Sequence, residues 1–336
     1  MGKVQAADPV AFAVVTDYGT GTSTEGAVAD MINGWSPEFI VTAGDNYQGS
    51  SDSDVYPTYV GNYYGPGATP GRTDFINFSS PSNFWPAPGN HDYRSGGGDL
   101  DRYIAYFNYL PPSGAYTGAT AYYYDIVRGP VHFFMIDSGD GDTSVPSYMT
   151  TQMTWLENAL SASSSPWNIV MFHQPAASGS ASHGSKEEMD YDYGAWGADF
   201  VISGHNHVYE RNNYRDIVYI TAGAGGGNAR QDWNASNLPT GAVNKFVYGE
   251  SGDTLSGAMK VNATDTSITF QYITTDSTVQ DSMTYNLTSS GDATISKSVD
   301  KTSAAPGETL TYTIDNITYD GTDLLSNVTV SDSNSH

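Results

Sequence analysis

Five short apolar segments of this chain are each followed within three residues by aspartate, asparagine or histidine. The residues that follow them are Asp17-Tyr18-Gly19, Gly44-Asp45-Asn46, Gly89-Asn90-His91-Asp92, His173 and Gly204-His205-Asn206-His207. Short apolar, β-branched runs are typical of buried parallel strands. Since parallel strands end at one edge of a sheet, we expect these polar groups to converge there.

Strand and helix patterns alternate along the first two thirds of the chain. Strands are predicted at residues 10–16, 39–42, 169–172 and 200–203. Helices are predicted at residues 24–35 and 147–161, and a hairpin at residues 122–127 and 131–136. Beyond Tyr209, strands are predicted at residues 217–221, 255–261, 267–273 and 282–287. This order favours an α/β fold in layers, with a second sheet that closes a sandwich.

Residues 47–83 lack clear periodicity and are rich in Gly, Ser, Asp, Pro and Tyr. We predict a long loop there that frames the site, because long loops inside compact domains are usually functional. Four of its tyrosines either line a substrate cleft or pack the loop itself: Tyr56, Tyr59, Tyr63 and Tyr64.

Charge and cysteine content exclude several classes of protein. The chain has 13 basic and 37 acidic residues, so its formal net charge is -24. Such a surface repels polyanions, which argues against nucleic acid as a partner. The chain has no cysteine, so any metal ion must be held by His, Asp, Asn and water. It also has no run of about 18 apolar residues, so no membrane span is predicted.

The polar groups behind the strands suffice for two metal ions. Two neighbouring cations need an anion between them, and Asp45, directly after a buried strand, is the natural bridging ligand. Asp17 and His207 then serve the first ion. The second ion would have three ligands: Asn90, His173 and His205. Such carboxylate, amide and imidazole ligands suit iron, zinc and manganese alike.

Three further residues are candidates for catalysis: His91, Asp92 and His183. Two metal ions about 3.5 to 4 Å apart would clamp a phosphate ester and make hydroxide available for in-line attack on phosphorus. The leaving alkoxide then needs a proton. His91 fits that role because the adjacent Asp92 would orient its imidazole and favour its charged form. His183, ten residues after His173, would reach the phosphate from the opposite side.

These motifs resemble those of the calcineurin-like metallophosphoesterase superfamily. The segments DYG, GDN, GNHD, FHQP and GHNHVYER are most similar to its purple acid phosphatase branch, over residues 10–288. The resemblance implies a four-layer αββα sandwich of two mixed sheets, with the site at the strand ends. It also implies hydrolysis of phosphate monoesters, the six metal ligands given above, and phosphate contacts from His91 and His183.

One position departs from the purple acid phosphatase pattern. That branch carries a tyrosinate ligand three residues after the bridging aspartate, where this chain has Gln48. The neighbouring Tyr47 need not point the same way, so either water or Tyr47 would complete the first metal position. We therefore predict that the iron-loaded protein lacks a tyrosinate-to-iron charge-transfer colour.

A change in composition near residue 291 indicates a domain boundary. The chain becomes an alternation of Thr, Ser, Asp and Val, with a turn predicted at residues 306–308 and a strand at residues 310–314. Residues 295–330 resemble the start of an Ig-like repeat of bacterial and archaeal surface proteins. We expect a metallophosphoesterase domain at residues 8–290 and a partial Ig-like β segment at residues 291–336. An extracellular or cell-surface location is expected, with surface association through that segment.

Single residues of these motifs also have plainer interpretations. A lone aspartate at a strand end is often a helix N-cap, and Asn90 alone fits a turn. His132 fits a structural role, and residues 209–211 fit support of the metal loop. The glycine run at residues 222–227 lacks the ending of a nucleotide-binding loop, so close backbone approach is expected there.

Two classes of function follow from these patterns. The first is a metal-dependent phosphatase of small monoesters, with phosphodiesters or nucleotides as alternative substrates. The second is a surface adhesion or display protein that retains a phosphoesterase fold while its Ig-like segment does the biological work. The complete set of metal ligands favours the first.

Overall fold

The computed structural model contains fifteen strands and five α-helices in the part of the chain that it describes. That part comprises residues 7–49, 55–66, 68, 72–78, 82–93, 99–141, 144–227, 232–249, 255–287, 293–300, 305, 308 and 311–319. The strands are β1 (Val10–Val15), β2 (Phe39–Ala43), β3 (Phe84–Ala87), β4 (Tyr124–Arg128), β5 (Val131–Met135), β6 (Trp167–Met171), β7 (Phe200–Ser203), β8 (Tyr209–Tyr214), β9 (Ile217–Ala222), β10 (Val243–Tyr248), β11 (Gly257–Ala263), β12 (Ser267–Thr274), β13 (Val279–Asn286), β14 (Ala293–Val299) and β15 (Tyr312–Tyr319). The helices are α1 (Ser23–Trp35), α2 (Asn62–Tyr64), α3 (Asp101–Tyr106), α4 (Met149–Ser161) and α5 (Tyr193–Trp196).

The chain divides into two compact units, Met1–Tyr285 and Asn286–His336. In the described part of the second unit, β14 and β15 form an antiparallel pair. The strand predicted at residues 310–314 overlaps β15. Most of the turn predicted at residues 306–308, and all residues beyond 319, lie outside the described part. The Ig-like identity of this unit therefore stays a prediction.

Two mixed sheets form the body of the first unit. The strand order of the first sheet is β13-β12-β11-β1-β2-β3, in which β1, β2 and β3 are parallel. The order of the second is β10-β8-β9-β7-β6-β5-β4, in which β5, β6, β7 and β9 are parallel. Five further pairs are antiparallel: β1 with β11, β11 with β12, β10 with β8, β8 with β9 and β4 with β5. The predicted α/β architecture of two mixed sheets is confirmed.

The two sheets pack face to face through aromatic side chains. Phe12 of β1 contacts Phe133 of β5 with ring centroids 5.1 Å apart. Phe200 of β7 contacts Phe270 of β12 at 4.9 Å. Edge-on and tilted aromatic pairs contribute about 0.5–1.5 kcal/mol beyond the area that they bury. These contacts hold the two sheets, and hence their strand ends, in fixed relation.

Helices cover the outer faces of both sheets. In β5, Phe133 lies in the core between the sheets, whereas Phe134 lies in a second core with Leu156 of α4. Helix α1 contacts β11 and buries Val28 and Ile32. The layers therefore run helix, sheet, sheet, helix. No helix in the described part is long and apolar enough to cross a membrane.

Two predictions about elements were wrong. The strands beyond Tyr209 do not form a sheet of their own, since β8, β9 and β10 join the second sheet and β11 to β13 extend the first. Part of the predicted loop at residues 47–83 is helical, with a π-helical turn at Pro57–Gly61 followed by α2. Its buried residues Tyr56, Val60 and Tyr64 recur every four positions, which is the spacing of one helix face.

Candidate metal centre

The site lies where the ends of four parallel strands meet. Asp17 follows β1, Asp45 follows β2, His173 follows β6 and His205 follows β7. The two sheets are joined at this point, because Nδ1 of His173 donates to the carbonyl of Ala43, 2.9 Å away. The polar groups behind each sheet therefore converge across the sandwich.

Asp17, Asp45 and His173 form the centre of the site. One ligand atom of each lies within 4.8 Å of the others, and all three residues are buried. His173 Nε2 is 3.2 Å from Asp45 Oδ1 and 3.9 Å from Asp17 Oδ1. Two enclosed carboxylates at this separation repel each other strongly unless positive charge lies between them.

The tautomer of His173 directs its free nitrogen at these carboxylates. A backbone carbonyl only accepts hydrogen bonds, so the contact with Ala43 places a hydrogen on Nδ1. Nε2 is buried and faces Asp45 Oδ1 at 3.2 Å and Asp17 Oδ1 at 3.9 Å. One nitrogen held by a carbonyl, with the other facing acidic groups, is typical of metal-ligating histidine.

Asn90 supplies a second buried atom with an open lone pair. Its Oδ1 is enclosed, and no described residue donates a hydrogen bond to it. The next residue, His91, donates its backbone N–H to Asp45 Oδ1 at 3.0 Å, which holds this turn against the Asp45 carboxylate. An unpaired buried acceptor costs about 1–3 kcal/mol, and a bound cation would remove that cost.

His205 and His207 enter the site from the loop after β7. His207 Nε2 is 3.4 Å from Asp17 Oδ1. The ring centroids of His205 and His173 are 5.0 Å apart. The backbone N–H of His205 also donates to both oxygens of Asp17, at 3.1 and 2.9 Å. The six residues predicted as ligands therefore lie around one centre, while metal binding by them stays a prediction.

Three of these residues have backbone angles in the left-handed region. The φ angle is 55° at Asp17, 49° at Asp45 and 67° at His205. Such a conformation costs a non-glycine residue about 1–3 kcal/mol, and residues that adopt it cluster at functional sites. The sharp turns allow side chains that follow the strands to fold back over the strand ends.

The charges of the centre shift two pKa values in opposite directions. Burial alone would raise the pKa of Asp45, but the charges of His173 and His91 hold that pKa well below its usual range. Burial alone would lower the pKa of His173, but the charges of Asp45 and Asp17 raise it to about 9. A proton on His173 therefore offsets the carboxylates, and a metal ion would displace it.

Within the described part of the chain, the expected pairing of the Asp92 carboxylate with the His91 imidazole is absent. The carboxylate of Asp92 accepts hydrogen bonds from the Tyr56 hydroxyl at 2.7 Å, the Asn46 amide at 2.9 Å and the Gly89 N–H at 2.7 Å. Asp92 is fully buried, so its oxygens bond to the donors that enclose them. It ties the loop after β2 to the loop after β3 rather than orienting an imidazole.

His91 and His183 lie at the exposed rim of the centre. The His91 side chain is 43% exposed, and its Nε2 is 3.9 Å from Asp45 Oδ2. His183 is also exposed, and its ring centroid is 4.3 Å from that of His205. Both imidazoles therefore reach solvent while they touch buried residues of the centre, which is the placement expected of groups that meet a substrate.

Tyr47 packs among aromatic side chains, whereas Gln48 faces the centre. The ring centroids of Tyr47 and Tyr59 are 5.4 Å apart. Gln48 Nε2 is 3.2 Å from Asp45 Oδ2 and 3.4 Å from Asp17 Oδ1. From the sequence, Gln48 was recognised only as the residue that replaces a tyrosine. Its position, three residues after Asp45, was the signal for a role in the site.

The glycine run at residues 222–227 packs against the loops of the site. A Cβ atom at Gly223 would lie 2.1 Å from the carbonyl oxygen of Asn206, and one at Gly225 would lie 2.1 Å from that of Thr16. Only glycine permits backbones to approach this closely. The predicted close approach is confirmed.

Glu210 joins the metal loop to the segment that carries His183. Its buried carboxylate accepts hydrogen bonds from the Ser178 hydroxyl, from the Gly179 N–H at 3.0 Å and from Trp233 Nε1 at 2.7 Å. A buried acid surrounded by donors fixes the segments that supply them. This arrangement agrees with the supporting role predicted for residues 209–211.

His132 has the structural role predicted for it. Its Nε2 is 2.8 Å from Asp125 Oδ2 on the neighbouring strand β4, and its Nδ1 is 2.9 Å from the Ser163 hydroxyl. Both ring nitrogens are therefore used in joining β5 to β4 and to the turn after α4.

Known proteins are similar to this chain in sequence. A family model described as "Calcineurin-like phosphoesterase" matches residues 11–209. Purple acid phosphatase 15 of Arabidopsis thaliana is 27% identical over 252 residues, which cover 65% of this chain and 45% of that protein. Purple acid phosphatase 18 of the same plant is 31% identical over 156 residues, which cover 41% of this chain and 35% of that protein. The chain thus spans less than half the length of these curated relatives.

Solved structures share the fold. The structure described as GAP50, the anchor in the inner membrane complex of Plasmodium, matches with a TM-score of 0.60 and 19% identity, over 83% of this chain and 89% of that chain. The purple acid phosphatase PPD1 from yellow lupin (Lupinus luteus) seeds matches with a TM-score of 0.58 and 18% identity, over 83% of this chain and 54% of that chain. At these identities the likeness concerns the fold alone.

Proposed function

Because the chain belongs to the calcineurin-like phosphoesterase family, we propose that it hydrolyses phosphate monoesters at a centre of two metal ions. The observation that carries this proposal is the buried cluster of Asp17, Asp45 and His173, whose ligand atoms lie within 4.8 Å of one another. Asn90 Oδ1 is enclosed without a hydrogen-bond partner in the described part of the chain, and His173 Nε2 faces both carboxylates. Buried acids and open lone pairs are costly together unless a cation neutralises them. These residues therefore fit a metal centre.

Asp45 is the proposed bridge between the ions. Its Oδ1 faces His173 Nε2 at 3.2 Å, and its Oδ2 faces Gln48 Nε2 at 3.2 Å, so its two oxygens have different neighbours. In this proposal Asp17 and His207 would hold one ion together with Asp45. The other ion would be held by Asp45 and three further residues: Asn90, His173 and His205. Iron, zinc and manganese are the ions that suit these ligands.

The reaction divides between the metal ions and this chain's side chains. Bound ions would neutralise phosphate oxygens and acidify the water that attacks phosphorus in line. His91, at the exposed rim, is the proposed donor of the proton that the leaving alkoxide needs. His183 is proposed to donate a hydrogen bond to a phosphate oxygen, since its ring lies against that of His205.

A small monoester is the proposed substrate. Two relatives are named purple acid phosphatases, which supports phosphatase activity. The net charge of -24 disfavours long polyanions, whereas metal ions at the site would attract a small phosphate locally. Phosphodiesters and nucleotides are alternatives within the same chemistry.

The proposal is tested with two aryl substrates, p-nitrophenyl phosphate and bis-p-nitrophenyl phosphate. Chelator-treated protein receives Zn²⁺, Mn²⁺ or Fe²⁺, and release of nitrophenol is followed. We expect metal-dependent hydrolysis of the monoester that Asp45→Asn abolishes and that Asp74→Asn, at an exposed position, leaves unchanged. Faster cleavage of the diester would indicate a phosphodiesterase. Metal-loaded protein that cleaves neither substrate would favour a surface protein with a vestigial phosphoesterase fold.

We also propose an extracellular or cell-surface location. The acidic composition supports it, with 37 acidic residues against 13 basic ones. Association with the surface would run through the β segment at residues 291–336. Immunodetection of the native protein in the cytoplasmic fraction alone would contradict this location.

A further inference from the structure

Gln48 occupies the position at which purple acid phosphatases carry a tyrosinate ligand. Its backbone N–H donates to the carbonyl of Gly19 at 2.8 Å, which fixes residue 48 against the loop that carries Asp17. Its side chain is 9% exposed and reaches inwards. Nε2 lies 3.2 Å from Asp45 Oδ2 and 3.4 Å from Asp17 Oδ1. The end of the carboxamide therefore stands between the two carboxylates of the centre.

The side chain of the neighbouring Tyr47 is engaged elsewhere. Its ring centroid is 5.4 Å from that of Tyr59, and the guanidinium carbon of Arg102 lies 5.8 Å from the ring centre. These two contacts hold the Tyr47 ring in place. Gln48 is the residue whose side chain extends between Asp17 and Asp45.

The distances around Gln48 match those between neighbouring ligands of one ion. Ligands about 2.1 Å from an ion in tetrahedral or octahedral geometry lie about 3.0–3.4 Å from each other. His207 Nε2 is likewise 3.4 Å from Asp17 Oδ1. A Cβ atom at Gly227 would lie 3.4 Å from Gln48 Cδ and 3.3 Å from His207 Cε1, so both side chains end in the same small space.

A carboxamide can present either of its ends to this space. Facing two bare carboxylates, the NH₂ end points inwards because N–H groups stabilise negative charge. Half a turn about the last side-chain bond puts Oε1 at nearly the same point, since the two ends have almost the same shape. Amide oxygens are ordinary ligands of divalent ions.

We propose that the Gln48 carboxamide oxygen is a ligand of the ion held by Asp17, Asp45 and His207, and that it makes this position selective for a divalent ion. The inference rests on the proposed function, because it assumes the same metal centre. The selectivity follows from charge. A tyrosinate would add a negative charge beside the two carboxylates, whereas glutamine adds none, so a trivalent ion is offset less completely.

The first test measures metal binding rather than turnover. Mn²⁺ and Zn²⁺ are titrated calorimetrically into chelator-treated wild type, Gln48→Leu and a matched control, Gln271→Leu on β12. We expect wild type and the control to bind two ions. In Gln48→Leu one of the two ions should bind about 10-fold more weakly or worse. If Gln48 only donated hydrogen bonds, Gln48→Leu would bind both ions as tightly as wild type or more tightly, because leucine removes donors that stabilise the empty carboxylates.

The second test uses colour. Gln48→Tyr loaded with Fe³⁺ should gain a visible tyrosinate-to-iron absorption band that iron-loaded wild type lacks. Folded, iron-loaded Gln48→Tyr without a band, or Gln48→Leu that binds both divalent ions as wild type does, would overturn the role of Gln48 and leave the proposed hydrolysis standing. A band in wild type would overturn the selectivity and implicate Tyr47. Wild type that binds no ion under any condition would overturn this inference and the proposed function together.

Discussion

Asp45 shows what a single residue contributes to the candidate centre. Its backbone turns into the left-handed region directly after β2, with φ of 49°. Oδ1 then lies 3.2 Å from His173 Nε2 and accepts the N–H of His91 at 3.0 Å. Oδ2 lies 3.2 Å from Gln48 Nε2. This division of neighbours is what supports a bridging role, and it depends on a backbone turn that no local sequence pattern predicts.

Removal of the His91 imidazole should separate catalysis from metal binding. His91→Ala is expected to lower kcat for an aryl phosphate by about 100-fold or more, because the leaving group would lose its proposed proton donor. The metal content should not change, since His91 is not among the six predicted ligands. The measurement is steady-state kinetics together with metal analysis of the same preparation. Unchanged turnover would remove His91 from the mechanism.

Asp199 offers a pH-dependent test far from the catalytic chemistry. Its carboxylate accepts the Asn168 N–H at 2.7 Å, but burial raises its pKa from 3.8 to about 6. A carboxyl whose pKa is raised in the folded state destabilises the fold once it ionises. The penalty is therefore absent below about pH 4 and complete above about pH 6, where it is about 3 kcal/mol.

Asp199→Asn keeps an acceptor oxygen and removes the charge. The variant should unfold at a higher temperature than wild type at pH 7.5, and the difference should shrink as the pH falls towards 4.5. Thermal unfolding followed by circular dichroism at several pH values measures this. A difference in Tm that stays constant across that pH range would contradict a raised pKa of Asp199.

The predicted pairing of Asp92 with His91 was wrong. That prediction rested on their adjacency in the sequence, yet neighbouring side chains in a turn project in different directions. His91 points to the rim, whereas Asp92 is enclosed and bonds Tyr56 and Asn46. The contact with Tyr56 spans 36 positions. Such partners follow from packing and not from local pattern.

Among the elements, the segment between β6 and α5 depends on support from elsewhere in the chain. It carries His183, and Glu210 of β8 holds its Ser178 and Gly179. Trp233 donates to the same carboxylate at 2.7 Å. Because Glu210 is fully buried, each donor that it loses leaves charge uncompensated.

Loss of a hydrogen bond to Glu210 should weaken substrate binding and leave metal binding unchanged. Trp233→Phe removes one donor to Glu210, and we expect a higher KM for the phosphate ester and faster proteolysis within residues 176–185. Metal content should be unchanged. Trp196→Phe is the matched control, because Trp196 is partly buried to a similar degree and packs on Tyr191 and Tyr193 instead. Equal KM and proteolysis in both variants would show that the donor is dispensable.

The positions of the strands in the chain were easier to predict than the sheet to which each strand belongs. Apolar runs located β1, β2, β6 and β7 because burial on both faces leaves a local signature. The strands after Tyr209 carry similar runs, yet they divide between the two sheets. Pairing is decided by partners far along the chain: β11 lies beside β1, with Val10 opposite Ala263.

For the whole molecule, the two compact units predict independent stability of the larger one. Both hydrophobic cores of the described part consist of residues up to Tyr285. A chain ended after residue 287 should therefore unfold cooperatively at nearly the same temperature as the full chain and keep the proposed metal-dependent hydrolysis. Differential scanning calorimetry and the aryl phosphate assay provide the comparison. Loss of folding in the shortened chain would place part of its core in the second unit.

The chemistry of the donors, and the order in which they follow the strands, could be predicted from the sequence. Those features are local, because an apolar run marks a buried strand and the residue after it is carried to the sheet edge. Tertiary structure alone decided which donors face one another, that Gln48 reaches the centre and that Asp92 does not serve His91. The reason is distance along the chain. The sheets meet through contacts such as the one between His173 and Ala43, 130 positions apart, and the side chains are aimed by backbone turns that only the assembled sandwich holds in place.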